Sequence, residues 1–372
     1  MKLNNNQQAF FALVKAGLWE EAARISRFER VDYSEVLRIA EEQAVVGLVT
    51  AGLEHVIDLN VPKENLLQFI GQSLQLEQSN LSTNEYLAWL IERLREEDVY
   101  AILVKGQGVA QCYEKPLWRA SGDIDLLLSE SNYEKAKKVL VPQAVDVESE
   151  YKTFKHLGMT MKGGYVVELH GTLHCRLSKR VDRVIDEAQK DVFFGDNVRS
   201  WQNGSTTVFL PAPENDVIFV FSHILHHYYI EGIGLRQICD WCRLMWSYRE
   251  TMNKELLESR IREAGLMSEW KAFATLAVDW LGMPEEAMPL YSSEKKWIKK
   301  ANRIISFILE TGNFGHNREY YLSNNKIIEK IQLGWHKMRD FIRHGNVFPI
   351  DSVKFFFHFV KDGVVLAVTH ER

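Results

Sequence analysis

The feature that most constrains this chain is a pair of aspartates, Asp123 and Asp125, at the start of the apolar run 124–128. A short apolar run of this kind predicts a buried β-strand. Side chains alternate between the two faces of a strand, so both carboxylates face one way while Ile124 and Leu126 face a core. Two like charges this close are costly unless a cation lies between them. Because hard divalent ions such as Mg²⁺ prefer carboxylate oxygens, the pair predicts a metal site suited to phosphoryl transfer.

Composition limits the class of protein. With 372 residues and 46% hydrophobic residues, the chain is long and apolar enough for two or three packed domains. A formal charge of −5 argues against a surface that wraps extended nucleic acid. The first ten residues lack the order of a secretion signal, and we find no uncharged apolar run as long as a membrane span. Four scattered cysteines are too few for a disulfide framework, which agrees with a reducing compartment. From these features together, we expect a cytoplasmic protein without a membrane partner.

The chain divides into three parts by pattern. Residues 1–95 are predicted to be helical, without a strand signal, and 66–94 predicts one extended helix or two. Residues 96–210 predict a mixed sheet, in which 153–161 and 165–170 form a hairpin around Gly163 and Gly164. The other strands and helices predicted there are strand 101–104, helix 107–113, strand 124–128 and helix 133–140, with strands dominating the remainder.

Residues 211–372 return to a helical pattern. A helix over 217–229 is followed by the turn 232–234, which is expected to expose the N-terminus of the next helix. Further helices are predicted over 254–311, a polar loop over 312–326, and a packed helix in the Phe-rich segment 353–360. The predicted fold class is therefore α+β, a small mixed-sheet domain flanked by N- and C-terminal helical domains.

Three carboxylates, together with Lys105, mark the mixed segment as the candidate site. Glu168 lies on the second arm of the predicted hairpin, and Lys105-Gly106 forms a turn between a strand and a helix. Metal ions held by Asp123, Asp125 and Glu168 could neutralise a triphosphate whose oxygens are received by backbone amides of the turn. Asp146 and Glu148 are weaker candidates, because a carboxylate in a polar loop is usually only solvated.

At this point the segment 102–170 resembles the polymerase-beta-like nucleotidyltransferase superfamily, in particular a family of uncharacterised bacterial nucleotidyltransferases. The resemblance rests on a Lys-Gly, Arg, Asp-Ile-Asp-Leu pattern and a later Glu, and on a second motif at Gly232–Asp240. The residues that carry it are Leu103-Val104-Lys105-Gly106, Tyr113, Pro116, Arg119, Asp123-Ile124-Asp125-Leu126-Leu127 and Val167-Glu168-Leu169-His170.

The resemblance implies a mixed-sheet nucleotidyltransferase domain over 96–210. It also implies transfer of an NMP, AMP being favoured, from an NTP to a hydroxyl or amine on a small molecule or protein. Asp123, Asp125 and Glu168 would bind Mg²⁺ (or Mn²⁺), and Glu168 could also accept the proton of the attacking group. Two alternatives stay open: a catalytically weak nucleotide- or metal-binding module that acts through a partner, and a transferase that modifies tRNA or other RNA.

The turn departs from the superfamily pattern, which usually has Gly-Ser or Gly-Gly and a shorter connection to the first aspartate. Here the turn is Lys105-Gly106-Gln107, which we assign to nucleotide binding together with Arg119 and Arg236. A lysine can act as a point charge for a phosphate, and an arginine can bind phosphate oxygens bidentately. Alternatively, Lys105 and Arg119 pair with Asp123 or Asp125, and Arg236 pairs along its helix with Asp240.

Histidines and cysteines of the helical part suggest weaker metal sites. His223, His226 and His227 share a predicted helix, but no glutamate lies between them in the metalloprotease arrangement, so packing or hydrogen bonding at an interdomain surface is favoured over zinc. Cys239 and Cys242 have the spacing of a zinc half-site without a second pair, which favours buried thiols.

Overall fold

The computed structural model describes residues 3–58, 61–151, 155–318 and 326–357. Its centre is a seven-stranded sheet. The strands are β1 Ile102–Val104, β2 Ile124–Leu127, β3 Ala144–Val147, β4 His156–Met161, β5 Val166–His170, β6 Val198–Asn203 and β7 Thr206–Pro211. The α-helices are α1 Asn5–Trp19, α2 Tyr33–Glu42, α3 Val46–Glu54, α4 Lys63–Arg95, α5 Gly106–Ala110, α6 Glu130–Leu140, α7 Lys179–Phe194, α8 Pro213–Ile230, α9 Leu235–Ser247, α10 Lys254–Ala264, α11 Met267–Leu281, α12 Lys295–Thr311 and α13 Lys326–Gly345, and 349–357 is also helical.

The sheet is mixed, in the order β3-β4-β5-β2-β1-β7-β6. Strand β2 is parallel to β5 and antiparallel to β1, β1 is parallel to β7, and the remaining pairs are antiparallel. The predicted α+β class with a mixed sheet is thereby confirmed. The hairpin of β4 and β5 is also confirmed, because Gly163 and Gly164 adopt φ of +95° and +84° at its turn.

The N-terminal part is helical, as predicted. Helix α1 begins at a capping box in which the Asn4 side chain accepts from the Gln7 amide, and α2 begins after Asp32, whose carboxylate accepts from two amides. The long pattern over 66–94 forms one helix of 33 residues. Helices α1 and α3 cross closely, since a Cβ at Gly17 would lie 2.1 Å from the Leu48 carbonyl oxygen.

The two faces of the sheet pack against different helices. Leu103, Ile124, Leu126 and Val167 belong to a core that α4 and α6 cover. A second core contains Ile102 and Val104 of the sheet. It also contains residues of the N-terminal helices α1–α3 and of the later helices α7–α12. The boundaries predicted at 95 and 210 stay predictions. What matters for the site is that β2 turns its polar residues away from α4 and α6.

One predicted segment differs. Strands were expected to dominate after the predicted helix 133–140, but α7, which follows the hairpin of β4 and β5, is a 16-residue helix. The reason is visible in the buried residues Val181, Val184, Ile185, Ala188 and Val192, whose spacing of three and four is that of a helix face. The strand prediction was correct for β3, for the hairpin of β4 and β5, and for the hairpin of β6 and β7.

The described residues of the C-terminal part, which end at 357, are mainly helical. Phe355 is buried, in agreement with the packed helix predicted there, while 358–360 lie outside the described residues. The predicted loop over 312–326 contains a short 3-10 helix, Asn313–Gly315, and residue 326 already begins α13, with 319–325 outside the described residues. Within the described ranges, no helix is long and apolar enough to cross a membrane.

Candidate functional site

The three predicted carboxylates meet at one place on the sheet. Asp125 pairs with Glu168 across the parallel strands β2 and β5, so the two side chains project from the same face. Asp123 immediately precedes β2 and shares that face with Asp125, as the strand alternation predicts. One carboxylate oxygen from each residue lies within 4.8 Å of the other two. The structure therefore brings together the residues predicted to hold the metal.

Charge and burial act differently on the three groups. The negative charge of Asp125, together with burial, raises the pKa of Asp123. Burial alone would raise the pKa of Asp125 and of Glu168, but neighbouring cations and hydrogen bonds outweigh it and hold both pKa values below their usual range. Asp125 and Glu168 are thus carboxylates at neutral pH.

Two histidines next to the carboxylates were not identified as site residues from the sequence. His170 Nε2 lies 2.8 Å from Asp125 Oδ1 and 3.3 Å from Glu168 Oε2. His156 pairs with His170 across β4 and β5, and its Nε2 lies 3.1 Å from Glu168 Oε2. Burial opposes protonation of His170, yet the hydrogen bonds to the two carboxylates prevail and raise its pKa.

Lys105 is the cation nearest to the aspartates. Its Nζ atom lies 2.9 Å from Asp125 Oδ1, so the ion pair that was the alternative to phosphate contact is formed in this structure. Burial disfavours its charge, but the Asp125 and Asp123 carboxylates raise the pKa of Lys105 above its usual value, and it stays protonated. The lysine has φ +57° and ψ −143°, a sparsely populated conformation for a residue with a side chain. Gly106 follows with φ +39° and begins α5, which is only five residues long.

These residues line an open cleft of about 830 Å³ between the sheet and α8. The volume is in the range of about 300 to 1,000 Å³ that is typical of ligand pockets. Lys105, Asp123 and Glu168 lie on its sheet side, and His223 and His227 lie on the α8 side. The cleft leaves room for a ligand directly over the carboxylates.

Arg119 does not pair with Asp123 or Asp125. Its Nε and Nη2 atoms donate to the two oxygens of Asp240, at 2.8 and 2.7 Å, and Tyr113 donates its hydroxyl to the same carboxylate. The pair predicted between Arg236 and Asp240 along α9 is replaced by this one. Arg236 instead donates Nη1 to the Ala120 carbonyl oxygen, at 3.0 Å.

Both arginines still line the cleft, and their assignment to nucleotide binding stays a prediction. Arg119 Nη1 and Arg236 Nε are buried without a hydrogen-bond partner among the described residues. Burial and the neighbouring Arg119 lower the pKa of Arg236, which reflects the crowding of two cations around one carboxylate, Asp240.

Two predicted ligand-facing groups are engaged within the protein. The buried Gln107 side chain donates to Asn80 Oδ1 and Ser121 Oγ, which links α4 to the segment before β2. The N-terminus of α9 was expected to be exposed, but Gln43 accepts from the Leu235 amide through its side chain and from the Arg236 amide through its carbonyl. This expectation was wrong, because the loop between α2 and α3 covers that end of α9.

The histidines and cysteines of the helical part follow the favoured interpretations. His226 Nδ1 is 2.7 Å from the Cys175 carbonyl oxygen, and the rings of His223 and His227 are in edge contact at 4.3 Å. Burial and the neighbouring His227 lower the pKa of His226 to about 4, so it is neutral at pH 7. Cys239 and Cys242 are free, buried thiols.

A sequence model for a family described as uncharacterised nucleotidyltransferase matches residues 29–282, more than half of the chain. The chain belongs to this nucleotidyltransferase family. The match confirms the resemblance at the level of the nucleotidyltransferase family, and membership implies an NTP as substrate.

The chain is similar to an antigenic nucleotidyltransferase-like protein from Paracoccidioides brasiliensis, with 14% identity and a TM-score of 0.31 over 50% of this chain and 87% of that one. A search of the curated proteins found no match.

Proposed function

We propose that this nucleotidyltransferase moves an NMP from an NTP, ATP being favoured, to a hydroxyl or amine of a small molecule or a protein. The observation that supports it most is the convergence of Asp123, Asp125 and Glu168 at the sheet side of a cleft large enough for a nucleoside triphosphate. The proposal includes the identity of the nucleobase, the chemical type of the acceptor and the Mg²⁺ or Mn²⁺ ion.

The donor set fits Mg²⁺ (or Mn²⁺). All three groups offer carboxylate oxygen, two of them are ionised at neutral pH, and Asp123 is exposed toward the cleft. A metal bound by Asp123, Asp125 and Glu168 would neutralise the triphosphate and polarise the α-phosphoryl group.

The protein groups supply position and proton acceptance. The acceptor oxygen or nitrogen bonds to the α-phosphorus, the bond from that phosphorus to the oxygen bridging the β-phosphate breaks, and pyrophosphate leaves. The proton of the acceptor passes to a carboxylate, for which we assign Glu168 because the family resemblance implies this role and the side chain lines the cleft.

Lys105 and the two arginines are assigned to the anionic part of the NTP. Lys105 is charged, lies at the end of β1 and is 18% exposed, so its amine could move from Asp125 to a phosphate oxygen once another cation satisfies Asp125. Arg119 and Arg236 line the cleft, and each has a buried N–H without a hydrogen-bond partner among the described residues. These groups are expected to add charge complementarity to a substrate with several negative charges.

The test is transfer itself. The protein is incubated with Mg²⁺ and each of the four NTPs in a metabolite extract, and mass spectrometry detects the mass gain of an NMP while pyrophosphate release is followed. We expect ATP to support transfer, and the double variant Asp123→Ala, Asp125→Ala to abolish it. Equal turnover by the double variant contradicts the proposed site. Nucleotide binding without transfer to any acceptor supports the binding module instead.

A further inference from the structure

A set of two imidazoles and one carboxylate lies beside the three-carboxylate position and shares Glu168 with it. One ligand atom each from His156, Glu168 and His170 lies within 4.8 Å of the others. The set is a product of strand register, because His170 follows Glu168 by two residues on β5 and His156 lies opposite His170 on β4. All three side chains therefore project from the face of the sheet that carries Asp125.

Two of the three distances between these ligand atoms agree with the edges of a tetrahedral metal site, and the third is no longer than 4.8 Å. Glu168 Oε2 lies 3.1 Å from His156 Nε2 and 3.3 Å from His170 Nε2. With metal-to-nitrogen distances of about 2.0 to 2.1 Å, the ligand atoms of a tetrahedral site are about 3.3 Å apart. An ion could therefore be bound with little movement of the strands.

We infer that His156, Glu168 and His170 form a binding site for a first-row transition-metal ion of the Mn²⁺, Co²⁺ or Zn²⁺ class. Imidazole nitrogen is a poor ligand for Mg²⁺ and a good one for these ions, so the site differs in selectivity from the carboxylate position. Three protein ligands leave a coordination position for water or substrate, as in catalytic rather than structural sites.

The surroundings leave space for an ion. All three side chains line the cleft, and His156 and Glu168 are each 26% exposed. Gly158 lies opposite Glu168 on β4, and its missing side chain makes room for the Glu148 carboxylate, since a Cβ at Gly158 would lie 2.8 Å from Glu148 Oε2. Asp125 Oδ1 lies 2.8 Å from His170 Nε2 and is a further carboxylate oxygen next to the three proposed ligands.

This inference deepens the proposed function, since Glu168 would bridge the two metal positions, but its test does not require turnover. Co²⁺ is titrated into the full chain while its visible absorption is recorded, and calorimetry compares the Kd values of Mn²⁺, Zn²⁺ and Mg²⁺. The variants are His156→Gln, His170→Gln and the double variant. His174→Gln is the matched control, because His174 lines the same cleft but pairs with Asp186.

We expect wild type and His174→Gln to bind Co²⁺ with the absorption of nitrogen-ligated cobalt, and Zn²⁺ and Mn²⁺ more tightly than Mg²⁺. Each single variant should weaken Zn²⁺ binding by at least about tenfold, as losing a ligand costs no less than losing its supporting partner. Circular dichroism of each variant verifies folding. Co²⁺ and Zn²⁺ affinities that are the same in wild type and in the double variant overturn the inference, as does the absence of binding in wild type. Loss of transfer activity alone leaves this result unaffected, so the two proposals can fail separately.

Discussion

The Nζ atom of Lys105 lies 2.9 Å from Oδ1 of Asp125, at the point where β1 and β2 pair antiparallel. Because β1 ends at Val104, which is opposite Asp125, the next residue delivers its side chain over the carboxylate. The backbone of Lys105 is in a sparsely populated conformation there. The Lys105 ammonium is therefore ion-paired with the central carboxylate of the proposed metal site. A divalent ion that binds Asp125 has to compete with it.

Replacing Lys105 with alanine should strengthen metal binding. The variant Lys105→Ala removes a positive charge that competes with a divalent ion for Asp125, and we expect the Kd for Mg²⁺ to fall by about tenfold, a modest share of the repulsion between charges at this separation. Isothermal titration calorimetry without nucleotide measures it. Lys115→Ala is the control, because Lys115 pairs with Glu54. Weaker Mg²⁺ binding by Lys105→Ala would show that the lysine supports the site instead of competing for it.

The carboxylate most accessible from the cleft should be essential for transfer. Asp123→Asn removes a proposed metal ligand while leaving the pair between Lys105 and Asp125 intact, and we expect kcat/KM to fall by at least about 100-fold. The matched control is Asp146→Asn on β3, an exposed aspartate outside the cluster. Pyrophosphate release under saturating Mg²⁺ measures both. Comparable losses in the two variants would contradict a special role for Asp123.

The pair between Arg119 and Asp240 should be important for stability. Its side chains are 4% and 8% exposed, and breaking a buried pair typically costs about 3 to 5 kcal/mol because the remaining charge is left uncompensated. We therefore expect Asp240→Asn to lower the free energy of unfolding by several kcal/mol in urea titrations. Glu97→Gln, which breaks an exposed contact with Arg93, should cost less than about 1 kcal/mol. An equal loss of unfolding free energy in the two variants would show that the pair between Arg119 and Asp240 on α9 contributes no more to stability than an exposed contact.

The neutral His226 should make folding stability depend on pH. Its pKa in the folded protein is about 4, against an ordinary value of 6.5, so between these pH values the unfolded chain binds the proton and the folded chain does not. The free energy of unfolding should therefore decrease as pH falls from 7 toward 4. In His226→Gln this decrease should be smaller by about 1 to 3 kcal/mol. Urea unfolding across that range, with His55→Gln as control, measures it; an unchanged slope in His226→Gln would count against the buried neutral imidazole.

The local parts of the site could be predicted from sequence. Strand alternation alone places Asp123 and Asp125 on one face, and the two glycines of the hairpin indicate its turn. Spacing in the sequence could not show that Glu168 pairs with Asp125, because β3 and β4 lie between β2 and β5 along the chain. No pattern within a single strand or turn shows that these two residues are neighbours in the sheet.

His156 was missed although a signal was present. Counting outward equally from Gly163 along the two arms of the hairpin reaches His156 and His170, which are partners in the structure. The link from Arg119 to Asp240 spans 121 residues and depends on how α9 packs against the sheet segment, so spacing could not show it. Helix α7 was overlooked because charged residues interrupt its apolar face, whose period is nevertheless helical.

Anomalous diffraction from crystals soaked with Mn²⁺ and a non-hydrolysable ATP analogue would locate the metal and the nucleotide together. We expect a manganese peak within about 2.0 to 2.4 Å of carboxylate oxygens from Asp123, Asp125 and Glu168, with the triphosphate in the cleft above it. A nucleotide bound elsewhere, or a cleft in which Lys105 stays on Asp125 and no manganese binds, would contradict this expectation.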